Sequence, residues 1–294
     1  MAMEAQSARS NAIGILFMLA GGVCITVQDA ITKLLTEVYP TGEVVGYRGL
    51  FTFIPIAFFV WRHGSVDCLK IVNFNGQMLR AVIAVATMVL IVSSFRVLPF
   101  ADVVIILFTG PIFATALAAP LLGERVGIRR WAAVGIGFIG VIIMLKPDGF
   151  QIQALLLLPV AAALSTSFRD IATRGLAKTE TTISILFWSI VFVSIAGFAT
   201  YFHEWEPLRN EHIHMFVAAG TLNGLAHFCM INSFRYAEVS LLSPFKYANI
   251  LYAIVLGYFI WGDVPAIHMW MGAALVIIAG LYIMRREASI RGKI

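Results

Sequence analysis

The stretch Ser94-Phe95-Arg96-Val97-Leu98-Pro99-Phe100-Ala101 is echoed 139 positions later by Ser233-Phe234-Arg235-Tyr236-Ala237-Glu238-Val239-Ser240. At the same offset, without a gap, Ala114 meets Ala253, Leu117 meets Leu256 and Gly123-Glu124 meets Gly262-Asp263. Ile128 then meets Ile267, Trp131 meets Trp270 and Ile139 meets Ile278. Nearer the N-terminus, at an offset of 141, Asp29, Thr32, Lys33 and Leu35 fall on Asp170, Thr173, Arg174 and Leu176. Apolar stretches coincide easily by chance, so the ordered return of charged residues and tryptophan carries the reading. The chain divides into two similar halves, 1–150 and 151–294.

What lies around these matches is suited to lipid. Of 294 residues, 60% are hydrophobic and 13% charged, about half the ~25% charge of a soluble domain. The apolar residues gather into ten runs, roughly 12–35, 42–61, 77–98, 101–121, 129–146, 153–174, 182–202, 213–234, 239–260 and 267–284. About twenty residues at ~1.5 Å per residue match a hydrocarbon core ~30 Å thick. The runs lack the alternation of a transmembrane β-strand, and the connections leave no room for a soluble domain. The fold class expected is all-α and integral to the membrane, with ten transmembrane helices. Five runs fall in each half, and an odd number sends the second half in from the opposite face. The expectation is therefore two inverted-topology five-helix repeats, an architecture that places a substrate site at the repeat interface.

The net charge of +5 reflects orientation rather than a polyanionic partner. With the N-terminus in the cytoplasm, fourteen Lys and Arg, from Arg9 and Arg62 through Arg80 to Lys293, fall on that side. Only Lys33, Arg96, Lys146 and Arg209 fall on the other. This positive-inside bias predicts a protein of the cytoplasmic (inner) membrane with both termini cytoplasmic. Cys24, Cys68 and Cys229 form no disulfide framework. No A-x-A-like cleavage site ends the first run, which is expected to remain as a helix.

Gly110-Pro111 in the fourth run, Leu122-Gly123-Glu124-Arg125 after it and the echo at Gly262-Asp263 form a recognisable set. With Leu98-Pro99-Phe100-Ala101 and its counterpart at 237–240, they are the residues by which the chain resembles the EamA-type branch of the drug/metabolite transporter superfamily. The resemblance covers nearly the whole chain. The second half departs from it, with Asp263 in place of Glu and Ile250 where the first half has Pro111. The resemblance implies ten helices, a central cavity and the transport of amino acids or other metabolites. At subfamily level the chain is similar to bacterial exporters of aromatic amino acids, which implies export.

Ionisable residues inside the runs are candidate functional residues, because each costs at least ~2.5–3.5 kcal/mol at mid-bilayer. Asp29/Lys33 and Asp170/Arg174 are each spaced i, i+4 and occupy matching places in the halves. They read as ion pairs that lower insertion cost or as symmetry-related gate elements. Arg48 and Lys246 lie deep, without an acid three or four residues away, and call for a partner across the bundle, a wet cavity or an anionic substrate group. Arg169 is near enough to its helix end to snorkel. Gln28, Tyr47, Trp188, Asn223, His227, Tyr247, Asn249 and Tyr252 extend a cavity that would suit a carboxylate-bearing, partly apolar solute. Trp61, Trp205, Trp261 and Trp270 read as interface anchors.

Other chemistry is excluded by motif. Gly135-Ile-Gly-Phe-Ile-Gly140 fits G-x-G-x-x-G but lies inside a run with no preceding strand, so its small residues are expected to admit a neighbouring helix. The chain carries no phosphate-binding P-loop, no H-E-x-x-H and no G-x-S-x-G. His203, Glu204, Glu206, Glu211, His212 and His214 read as a solvated loop rather than a metal site. No enzyme activity, cofactor or nucleic-acid partner is expected; the partners are a small-molecule substrate and the lipid bilayer, with the protein a monomer or homodimer. The function expected is secondary transport of amino acids or similar metabolites by alternating access, in the export direction. The alternatives are other solutes (a nucleotide sugar, a phosphorylated metabolite or a drug), a passive channel or an intramembrane enzyme.

Overall fold

A computed structural model describes residues 2–122, 128–145, 154–176, 179–202, 205–236 and 245–291. These residues form α1 (Ala2–Thr36), α2 (Thr41–His63), α3 (Phe74–Val97), α4 (Phe100–Leu107), α5 (Gly110–Leu122) and α6 (Ile128–Leu145) in the first half. The second half contributes α7 (Leu157–Leu176), α8 (Thr182–Phe198), α9 (Asn210–Tyr236), α10 (Ala248–Trp261) and α11 (Ile267–Arg291). No strand occurs among the described residues. Among the described residues six segments are long and apolar enough to cross a membrane: Asn11–Thr36, Thr41–Arg62, Phe74–Val97, Phe100–Leu117, Ala154–Thr173 and Asn210–Met230. Four shorter apolar helices, Trp131–Leu145, Thr182–Phe198, Ala248–Trp261 and Ile267–Tyr282, coincide with the other runs.

Local chemistry sets the helix ends. Asn73 and Thr181 accept hydrogen bonds from Gly76 N and Ser184 N at the starts of α3 and α8. Gly64 ends α2 and Gly262 ends α10 at φ of 82° and 73°, a left-handed turn that costs glycine little. The fourth run is one apolar stretch in sequence but two helices in space. Pro111 has no N–H for the Leu107 carbonyl and disfavours helical geometry at Gly110, so the chain turns at Phe108-Thr109. Beside the break, the Ser167 hydroxyl of α7 donates to the Gly110 carbonyl at 2.8 Å and ties the start of α5 to α7.

The bundle exposes an apolar belt and buries charged side chains among apolar clusters. Leu50, Ile54, Phe58 and Trp61 make one exposed stripe along α2, whereas Glu43, Arg48, Arg80 and Glu180 are buried. An aqueous surface would not carry such a belt, and a hydrocarbon one requires it.

The contacts also fix which way the helices run. α1 lies antiparallel on α9, with Phe17 against Tyr236 and Tyr39 against His212 and Phe216. α3 lies antiparallel on α7, through Arg80–Thr173 and Thr87–Ser165. α2 runs parallel to α9 (Tyr47–Phe216, Phe59–Phe228), and α3 parallel to α8 (Gln77–Ser184, Arg80–Ser189). α2 and α8 are antiparallel, Tyr47 meeting Phe198 and Phe53 meeting Phe187. α6 and α11 are also antiparallel, Gly140 meeting Val276 and Met144 meeting Gly272. Exchanging α1 with α7, α2 with α8 and α3 with α9 maps this set of pairings onto itself.

Glycines bring these helices close. A Cβ on Gly197 of α8 would lie 2.6 Å from Gly46 Cα of α2, and one on Gly272 of α11 would lie 2.6 Å from the Gly140 carbonyl oxygen of α6. In the glycine-rich stretch of α6, Gly137 faces Ile112 and Gly140 faces α11, while Gly135 faces open space. Gly197→Ala is therefore expected to destabilise by about 1–3 kcal/mol by forcing α2 and α8 apart. Gly135→Ala should stay within about 0.5 kcal/mol. Thermal unfolding of the purified variants compares them, and equal losses would contradict the packing described.

Candidate functional site

Two buried guanidinium groups organise the interior, one toward each end of the bundle. Arg48 is two turns into α2 and 3% exposed. Its Nη1 donates to Gln28 Oε1 at 3.3 Å and Thr32 Oγ1 at 3.4 Å, both on α1, and its Nη2 donates to Met88 Sδ of α3. Gln28 and Thr32 are one turn apart, so a single guanidinium reaches both. Gln28 turns its Nε2 to Asp29 Oδ1. Its amide thus bridges a cation and an anion that also attract directly.

At the other end Arg80 of α3 is 8% exposed. Its Nε donates to Thr173 Oγ1 of α7 at 2.7 Å, and its Nη1 to the Ile185 carbonyl at 3.4 Å and to Ser189 Oγ of α8. Thr173 is the residue that the repeat aligns with Thr32. Each half's threonine therefore receives a guanidinium, from α2 in one case and from α3 in the other. Arg169, half-buried on α7, holds its Nη2 3.7 Å from Asp170 Oδ1, whose side chain is 60% exposed. Half-buried His227 of α9 lies in the combined field of Arg169, Arg80 and Arg48.

One of the two ion pairs expected from sequence is replaced by other bonds. Lys33 makes no ion pair with Asp29; its Nζ donates to the Phe95 carbonyl at 3.0 Å and the Leu98 carbonyl at 2.7 Å. Those carbonyls end α3, where the helix dipole is negative. The same Nζ lies 5.3 Å from the Trp261 ring centroid, and Trp261 Nε1 donates to Glu37 Oε1 at 2.8 Å. Trp261 thus ties α10 to α1 instead of serving only as an interface anchor. Asp170 pairs with Arg169; the Arg174 side chain lies outside the described residues.

The remaining candidates separate by location. Asn223 is buried on α9 and donates to Thr52 Oγ1 at 3.4 Å, linking α9 to α2. Asn249 and Tyr252 pack on α1 at Gly22. Tyr247 is buried in an apolar cluster with Ile106, Val134 and Met269, its ring tilted against Phe108. Lys246 is half-buried in the helical turn before α10. A groove of about 780 Å³ lies along α9 and is lined by that helix alone, through residues such as Ile213, Val217 and Leu222.

Tyr47 and Trp188 belong to two clasps at the ends of the bundle. At the α1–α2 end, Glu43 Oε2 accepts from Glu206 N at 3.1 Å and Tyr39 Oη accepts from Arg209 N at 3.1 Å. Tyr39 also meets His212 Nδ1 at 2.9 Å, and Tyr47, Phe198 and Trp205 pack beneath. At the α2–α3 end, Glu180 Oε1 accepts from Val72 N at 2.7 Å and Asn73 N at 2.6 Å. There Thr181 Oγ1, Ser184 Oγ and Trp188 Nε1 donate to the carbonyls of Cys68, Lys70 and Leu69. Beside them Lys70 and Ser65 hold the exposed Asp67 carboxyl below its usual range. The acid heading the second helix of each half, or just preceding it, binds the second-to-third-helix connection of the other half. Sequence reasoning missed this, as it missed Arg80, which six residues from a helix start reads as an end charge.

Among the described residues no three His, Cys, Asp or Glu are grouped to hold a metal; His203 and Glu204 lie outside them. The three cysteines are free.

The chain belongs to the EamA-like transporter family, whose model matches it twice, over residues 12–146 and 153–285. It is 27% identical over 278 residues to a riboflavin transporter of Rhizobium johnstonii, covering 94% of this chain and 92% of that protein. It is 25% identical over 274 residues to an S-adenosylmethionine uptake transporter of Rickettsia felis, covering 93% of each. A solved crystal structure shares the fold at a TM-score of 0.64 and 16% identity, over 95% of this chain and 98% of that one. The protein is thus a multi-pass membrane transporter of small metabolites. These relatives' names correct the subfamily expectation, since neither is an exporter of aromatic amino acids.

The bridge through Gln28 makes Asp29 and Arg48 interdependent. Removing either charge leaves the other buried without its counterion, so Asp29→Asn and Arg48→Gln should each destabilise while the double variant loses less than their sum. A double-mutant cycle in thermal or denaturant unfolding should give a coupling of about 1 kcal/mol or more. Strict additivity would show that the two do not share one network.

Proposed function

We propose that this transporter takes up a polar heteroaromatic metabolite across the cytoplasmic membrane by alternating access between two inverted five-helix halves. The observation that carries this reading is the exchange symmetry of the contacts. α2 and α8, which the repeat aligns, run in opposite senses, and so do α6 and α11. Followed from α1 to α9, α2, α8, α3 and α7, the pairings give α1 and α7 opposite senses as well. Ten apolar segments with such senses support ten crossings, with both termini on one side, which the charge bias assigns to the cytoplasm.

In this reading the clasps are gates. The Glu43–Tyr39 clasp closes the external end and the Glu180–Trp188 clasp the cytoplasmic end. Rocking of the halves parts one while the other holds, with Arg48 and Arg80 facing the route between them. Inward direction and a heteroaromatic cargo are suggested by the relatives named for riboflavin and for S-adenosylmethionine uptake. Riboflavin and S-adenosylmethionine share a heteroaromatic ring with a polar chain, which the polar interior of the bundle could solvate.

Purified protein in proteoliposomes tests the function directly. Time-dependent uptake of at least one of labelled riboflavin, flavin mononucleotide or S-adenosylmethionine, saturable and absent from empty vesicles, is the expected result. If none accumulates while labelled amino acids do, the heteroaromatic reading falls and the amino-acid reading takes its place.

The cytoplasmic gate has a native reporter in Cys68, which is buried beneath its clasp. In a Cys24→Ser/Cys229→Ser background, Glu180→Ala removes the acceptor of two backbone N–H groups. A membrane-impermeant maleimide should then label Cys68 about tenfold faster, from the cytoplasmic face only. Labelling from the external face would reverse the assigned orientation, and an unchanged rate would remove Glu180 from the gate.

A further inference from the structure

The two guanidinium layers differ in charge balance. Arg48 is matched by Asp29 through the Gln28 bridge. Arg80 and Arg169 lie within each other's repulsive field, and the carboxylate that acts on Arg80 among the described residues is Asp170. That carboxylate is 60% exposed and already adjoins Arg169. His227 faces the same two arginines. Two cations therefore share one screened acid inside the bundle, where an uncompensated charge is costly.

Arg80 is also short of acceptors. Its Nε and Nη1 are engaged by Thr173, Ile185 and Ser189, whereas its Nη2 has no hydrogen-bond partner among the described residues. A guanidinium has five N–H donors in a fixed fork, and the unengaged edge matches one oxygen of a carboxylate or phosphate. The side chain is 8% exposed and tied to α7 and α8, so it does not reach out to bulk water as Lys70 does, with its side chain 76% exposed.

We propose that the unengaged edge of the buried Arg80 guanidinium, beside Arg169 and the Arg169-adjoining Asp170, is an anion site that receives the carboxylate or phosphate group of the transported solute. This rests on the transporter reading and narrows it to acid-bearing metabolites. Arg80, held by Thr173 and Ser189, supplies the directed donor, and Arg169 supplies a second charge. Because the site touches α3 of one half and α7 of the other, a bound anion would draw the halves together at this end.

Thermal unfolding of the full chain in phosphatidylcholine nanodiscs tests the site with inorganic phosphate and with the pair riboflavin and flavin mononucleotide. At constant ionic strength, millimolar phosphate in place of chloride should raise the midpoint by about 3 °C or more. Flavin mononucleotide should stabilise at concentrations at least tenfold lower than riboflavin. Arg80→Gln should abolish both effects, Arg80→Lys should keep a reduced phosphate effect, and Lys70→Gln should leave both intact. If phosphate does not stabilise the wild type, or stabilises Arg80→Gln equally, the anion site is refuted. Phosphate stabilisation that vanishes when phosphatidylglycerol is added would assign the site to a lipid headgroup and also overturn the proposal. The transporter reading is judged separately: solute uptake without anion stabilisation removes only the site, whereas anion stabilisation without uptake of any solute removes the function.

Discussion

Hydrocarbon offers no hydrogen bonds, so each polar group that this bundle buries must find its partner in the protein or in a wet interior. Much of the architecture follows from that constraint. Serine and threonine hydroxyls return to carbonyls one turn back, as at Thr26, Thr52 and Ser189. Lys33 directs its ammonium to the carbonyls that end α3, and the Ser167 hydroxyl joins α7 to the Gly110 carbonyl beside the break in the fourth run. Arg48 and Arg80 each draw three helices together because no single helix could satisfy a guanidinium. Polar groups here act as cross-links between helices, and the apolar belt requires only that they point inward.

The same constraint explains why the ends of the bundle matter. Where the second-to-third-helix connection of each half leaves the helical ladder, its backbone N–H groups need acceptors. The opposite half provides them through Glu43 and Tyr39 at one end and Glu180 at the other. Such bonds join the halves at each end without filling it, and water could replace them in the proposed opening. Close glycine contacts between α2 and α8 and between α6 and α11 form rigid seams by contrast. A bundle with firm antiparallel seams and exchangeable clasps at both ends has the mechanical parts that rocking requires.

Much of this was legible before any coordinates. Run length and the two offsets give the helical class and the paired halves, because insertion and duplication both act on the linear chain. Site residues were legible only in part. The i, i+4 spacing of Asp29 and Lys33 suggested a pair, but helix-end carbonyls from α3 compete for the lysine and no local spacing reveals them. Trp188, Tyr47 and Tyr247 have the composition of cavity walls, yet the structure uses them for a loop clasp, an aromatic seal and an apolar cluster. An aromatic ring on a helix gives no signal of which neighbour it meets. Arg80 was hidden for the opposite reason, since a cation near a helix start looks solvated until α7 and α8 cover it.

The central claim is that the two ends open in alternation. Electron–electron distance measurements on doubly spin-labelled protein in nanodiscs address it, with labels at positions 37 and 202 across the α1–α2 end and at 70 and 179 across the α2–α3 end. Two distance populations are expected for each pair, with the long-distance fraction at one end rising as the other falls when solute or clasp variants shift the balance. A single fixed distance at both ends, in protein that still moves solute across vesicles, would contradict it.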